Sequence, residues 1–108
     1  MRLKKERVAD YVEVHRKENV WRSVVDCLVR SGTTRMIILL HGQDVILFEE
    51  ANDLQQAYQV QSADGPTQRW EAMIAELMEQ APHFDEIKGD LEFREVPIVF
   101  HLEDGKLR

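Results

Sequence analysis

The chain has 108 residues, a formal net charge of −6 and a pI near 5.2. That length fits one domain, 1–108, with one modest core, and 44% apolar with 31% charged residues excludes global disorder. An acidic surface excludes a general nucleic-acid binder and disfavours anionic membranes, whereas an uncharged small molecule is compatible with it.

The basic opening, Met1 to Glu6, has no apolar run behind it, so the sequence predicts no signal peptide. From Lys4 to about Arg30 the spacing is helical: Val8, Tyr11, Val12 and His15 recur every three or four residues, and so do Trp21, Val24, Val25 and Leu28. The polar stretch Arg16–Asn19 interrupts this stripe. The segment is therefore either one irregular helix or two helices meeting near Asn19, with Asn19 as the cap of a second segment starting at Val20. Gly32 suits a left-handed helix end.

Two apolar runs, Arg35–Leu40 and Val45–Glu50, flank His41-Gly42-Gln43-Asp44 and read as a β-hairpin with Gly42 in the turn. The unbroken run Met36–Leu40 predicts a strand covered on both faces. Asp53 is placed to cap a short helix turning Leu54, Ala57 and Tyr58 inward. Pro66 suits the first turn of a later helix reaching about Gln80, with Trp70, Met73, Ile74, Leu77 and Met78 on its apolar stripe. A polar loop, Ala81–Asp90, and a last strand, Phe93 to Leu102, complete the order helix, hairpin, helix, helix, strand. No apolar stretch is long enough to span a bilayer. Cys27, the single cysteine, allows no internal disulfide, so the cytoplasm is the expected location.

This order predicts an α+β protein with helices on one face of a mostly antiparallel sheet. It becomes a ferredoxin-like βαββαβ unit if Met1–Lys4 supplies a truncated first strand. The open sheet face then calls for a homodimer with facing sheets.

Tyr11 and His15 stand four residues apart, so on a helix they share a face and offer a phenol and an imidazole to one place. Histidine titrates near neutrality and can give or take a proton. On pattern alone the commoner role for both is to border the core. Trp70 has the same two readings, core packing or a platform for the apolar face of a sugar, and so does Trp21. Cys27 among Val24, Val25 and Leu28 reads as a small core residue. His41, His83 and His101 are scattered, without HxxxH, HxH or a Cys/His cluster, so no metal is expected. No GxGxxG, P-loop or GxSxG occurs.

Together these segments resemble the L-rhamnose mutarotase family. Leu3 to His15 resembles its "LKP…eeY…H" opening, and Asn19-Val20-Trp21 its "VWP" segment. Ser31-Gly32 with Met36–Leu40 resembles its turn and strand, Gln68-Arg69-Trp70 its "QxW", and Phe93 to Leu102 its closing strand. The resemblance implies a dimeric α/β barrel of ferredoxin-like subunits that interconverts the α and β pyranose anomers of a deoxyhexose without a cofactor. It gives His15 the role of proton donor and makes Tyr11 and Trp70 sugar-binding residues. The pattern departs at the nearly absent first strand and at the spacing of His15 and Trp21, which is two residues longer. It departs also at Arg22 for proline, Met36 for a strand tyrosine and Glu71 for a second tryptophan. The apolar strand at Met36–Leu40 is closer to an L-fucose-directed branch. A non-catalytic small-molecule-binding module on the same dimeric fold is the alternative, and a small oxygenase of similar fold ranks last.

Overall fold

A computed structural model describes residues 1–79 and 97–108. A 3-10 turn, Lys5–Arg7, leads into α1 (Val8–Val14), followed by α2 (Arg22–Arg30). The hairpin strands are β1 (Thr33–His41) and β2 (Asp44–Ala51), and the later helices are α3 (Leu54–Ala63) and α4 (Gly65–Ala75). A small terminal hairpin pairs β3 (Leu102–Glu103) with β4 (Lys106–Leu107). The chain is thus α+β with small antiparallel sheets, compatible with a ferredoxin-like unit.

The first four residues are laced on both sides. Toward β2, the Leu3 N–H donates to the Gln43 carbonyl at 2.7 Å and the Val45 N–H to the Met1 carbonyl at 2.8 Å. On the other side the Lys4 N–H donates to Leu77 at 2.9 Å and the Glu79 N–H to Arg2 at 2.8 Å. The truncated first strand therefore exists as a central stub with an antiparallel bridge on each side. It carries Leu3, fully buried, into a core shared with Tyr11, Val24, Val45, Trp70 and Ile74.

The hairpin forms as expected, with a two-residue turn in which Gly42 sits at φ +61°, a conformation that glycine adopts without a Cβ penalty. Cross-strand partners share a face. Met36/Glu49, Ile38/Leu47 and Leu40/Val45 therefore point one way, toward the side that buries Val45, though Ile38 and Leu40 also remain exposed. Ile37/Phe48 and Leu39/Ile46 point the other way, and all four are exposed. The expectation of a strand covered on both faces is not met within one chain, because the helices pack on a single side. The inward position opposite Met36 is Glu49, whose Oε2 is buried without a hydrogen-bond partner. Burial pushes its carboxyl up, against a hydrogen bond from Gln61 that lowers it.

Four further expectations are corrected. Asn19 does not cap α2; its Nδ2 donates to the Glu13 carbonyl at 2.8 Å and so closes the end of α1. α4 stops at Ala75 rather than near Gln80, because residues 77–79 turn back to bond the N-terminal stub. Leu54 and Tyr58 are exposed, and of the three residues expected to point inward from α3 only Ala57 is buried. Of the expected closing strand, Phe93 to Leu102, residues 93–96 lie outside the described residues, as do the Ala81–Asp90 loop and His83. The described part is strand only from Leu102. Asp53 and Asp64 cap α3 and α4 through the Gln56 and Thr67 N–H groups, and Pro66 occupies the first turn of α4. Gly32, at φ +88°, ends α2 as expected.

Leu3→Ala is expected to cost about 2–5 kcal/mol in urea unfolding, since it empties a fully enclosed site. A loss below about 1 kcal/mol would remove the stub from the core. Because the folded carboxyl of Glu49 titrates above 4.5, its contribution is complete at lower pH and fades as pH rises through the folded value. Wild type should therefore lose stability relative to Glu49→Gln as pH climbs from 4 to 8, as melting temperatures across that range would show.

Candidate functional site

Four rings meet where the end of α1, the start of α2 and the middle of α4 converge. Tyr11 lies on the buried stripe of α1, and His15 is the residue just after that helix. The two ring centroids are 4.3 Å apart, tilted by 41°. His15 and Trp70 meet edge-to-face at 5.5 Å and 83°, and Trp21 meets Trp70 at 5.2 Å and 71°. Edge-to-face contacts in this range are favourable because the positive rim of one ring faces the negative face of the next. The three residues singled out from the sequence are thus brought together, and Trp21 joins them.

Local backbone geometry explains the imidazole's position. The chain tightens at the end of α1, where the His15 N–H bonds to Val12 at 3.2 Å, three residues back. The Tyr11 carbonyl, which that N–H would take in a continuing helix, accepts instead from His15 Nδ1 at 2.6 Å. A carbonyl only accepts, so Nδ1 carries hydrogen and Nε2 is the nitrogen left to trade a proton. His15 is half-buried, neither sealed nor fully solvated.

Tyr11 is almost fully buried, and burial pushes its phenol up to about 12. It is a neutral hydroxyl throughout the physiological range and can hydrogen-bond but not shuttle protons as a phenolate. Trp70 is buried, while Trp21, read from the sequence as either core or platform, lies partly open to solvent as the N-cap of α2. The signal for Trp21 was its place directly before a helix, after the polar stretch Arg16–Asn19. Cys27 is buried as expected.

A cleft of about 330 Å³ runs along the neighbouring stripe of α1. Arg7, Asp10, Glu13 and Val14 line one side and Met73, Glu76 and Leu77 the other. None of the four ring residues lines it, so the ring cluster is a separate feature. Among the described residues no three His, Cys, Asp or Glu side chains are placed to hold a metal ion, and no helix is long and apolar enough to cross a membrane.

Spectrophotometric titration at 295 nm should show a tyrosine ionising near pH 12 that disappears in Tyr11→Phe. Its raised value means that the folded state loses stability as pH climbs from the ordinary value of 10 through 12. An ionisation near 10 assigned to Tyr11 would contradict its burial.

A sequence model of the L-rhamnose mutarotase family matches residues 1–102. No curated protein matches at a significant level.

Proposed function

The chain belongs to the L-rhamnose mutarotase family, and on that premise we propose that it interconverts the α and β anomers of a deoxyhexose at the His15–Trp70 cluster. The single observation supporting this reading is the meeting of a half-buried imidazole, a neutral phenol and two indoles in one place. An imidazole anchored through Nδ1 presents Nε2 in a fixed direction, which a proton donor needs.

In this reading His15 Nε2, protonated, gives its proton to the ring oxygen of the sugar as the bond from C1 to that oxygen breaks. The hydroxyl proton on C1 passes to water, and an open-chain aldehyde results. The aldehyde rotates about the C1–C2 bond. On closure the carbonyl oxygen regains a proton from water and the ring oxygen returns its own to Nε2, so no atom is gained or lost. Tyr11 serves by orienting the sugar through its hydroxyl. Trp70 and Trp21 offer ring surface to the apolar side of the pyranose. No cofactor enters these steps.

The sugar is L-rhamnose or L-fucose. Met36 and Glu71, where the rhamnose pattern has tyrosine and tryptophan, favour the fucose side of that choice. The exposed outward face of the hairpin suits a homodimer with facing sheets, closing the dimeric barrel. An acidic single-domain protein with its one thiol buried is compatible with the cytoplasm.

Saturation-transfer NMR on each sugar, with wild type and His15→Ala, is the direct test. Loss of the general acid is expected to slow exchange by roughly 10²- to 10⁴-fold, and Trp70→Leu to raise KM more than it lowers kcat. Exchange no faster than buffer for both sugars, with tryptophan fluorescence still responding to sugar, would leave the silent binding module as the correct reading.

A further inference from the structure

Glu49 is the one acid among the paired hairpin residues that faces inward, and the donors around it are already committed. Gln61 Nε2 carries two hydrogens and has three acceptors near it: Ser31 Oγ at 3.3 Å, Thr33 Oγ1 at 3.4 Å and the Glu49 carboxyl. The Ser31 hydroxyl donates to the Leu28 carbonyl at 2.8 Å, which leaves the Thr33 hydroxyl to donate to Ser31 at 3.2 Å. None of these groups serves Glu49 Oε2, which is buried without a hydrogen-bond partner. A buried carboxyl oxygen of that kind costs free energy until a donor reaches it, and folded proteins keep few of them without a functional reason.

This corner lies at the Trp70 end of the space between the hairpin and α4. The Gln61 carbonyl accepts from Gln68 Nε2 at 3.3 Å, and Gln68 precedes Trp70 by two positions on α4. The far end of β2, at Val45, is tied instead through the N-terminal stub to Met78, past the end of that helix. α4 itself packs on α2 and α3, and the inward-facing Ile38 and Leu40 stay exposed, so the helices do not seal the inner face of the hairpin.

We propose that Glu49, held by Gln61, is the far contact of the sugar site, its Oε2 accepting a hydrogen bond from the hydroxyl on C3 or C4; this rests on the preceding reading. With the ring oxygen and C1 at His15, C3 and C4 are the carbons directly across the pyranose ring. Their hydroxyls project away from the imidazole, toward the hairpin. L-Rhamnose and L-fucose both carry hydroxyls there, so the contact sets a requirement common to the two.

The test measures anomer exchange, and sugar binding by tryptophan fluorescence, on L-rhamnose and L-fucose with wild type, Glu49→Leu and Glu49→Gln. Leucine fills the space and removes the acceptor, and an apolar replacement for a buried carboxyl is compatible with folding. Glu49→Leu is expected to weaken binding by roughly ten- to a hundredfold and to raise KM more than it lowers kcat. Glu49→Gln, whose amide oxygen still accepts, should recover part of the loss. The 3-deoxy and 4-deoxy analogues identify the contact: on the one that lacks the partner hydroxyl, wild type and both variants should bind alike, whereas a purely structural role would lower affinity for every sugar by the same factor. Unchanged affinity in Glu49→Leu, or an equal loss on both analogues and the parent sugar, would overturn the proposal. Binding that weakens in Glu49→Leu while wild type shows no exchange would sink the catalytic assignment alone. Exchange by wild type with affinity unaltered in Glu49→Leu would sink the Glu49 contact alone, and a wild type that neither binds nor exchanges either sugar would end both.

Discussion

Everything at the candidate site depends on one backbone carbonyl. Where α1 ends, the oxygen of Tyr11 has lost the N–H that a continuing helix would supply, and a half-buried carbonyl left unpaired is costly. The imidazole of His15 fills that role from the side chain, and the bond fixes both the ring plane and the tautomer. Once the ring is fixed, Trp70 has an edge to meet, and Trp21 has Trp70. A helix longer by one turn would satisfy the carbonyl through its own backbone and leave the imidazole unanchored. The termination of α1 is thus as much part of the site as the side chains, and Asn19 secures it from the following turn.

The pairing of Tyr11 with His15 was legible because a spacing of four on a helical stripe fixes two side chains on one face. The hairpin was legible from its β-branched runs and central Gly42, and two helix starts from Asp53 and Pro66; the cap by Asp64 was not read from the sequence. What misled was context. The run Met36–Leu40 looks identical whether its second face meets helices or another chain, and periodicity cannot separate those cases. Asn19 was misplaced because a side-chain amide before a helix can turn forward to cap it or backward to close the previous one. The apolar stripe of α4 continues past Ala75 in the sequence, yet Leu77 and Met78 are buried from a turn. Burial alone does not distinguish a helix from an extended segment there.

The N-terminal stub shows how little strand is needed when it sits in the centre. Four residues bonded on both edges join the hairpin to the segment after α4, and their single buried leucine enters the same core as Tyr11 and Trp70. The helices that carry the ring cluster are therefore tied to the sheet through a very short piece of chain. The polar side chains around it reinforce the tie: Gln43 reaches the Leu3 carbonyl and Glu79, and Arg2 pairs with Glu79.

The chain has two tryptophans, and both stand in the ring cluster with centroids 5.2 Å apart. At that separation the indole transitions do not act independently but couple as excitons. Coupling of this kind depends on the mutual orientation of the two rings, so the dichroic couplet of the strong indole band reports on one junction, where the start of α2 meets the middle of α4. A small rotation of either indole changes the sign or splitting of that couplet, so a molecule of this size carries its own optical goniometer at the site that matters most.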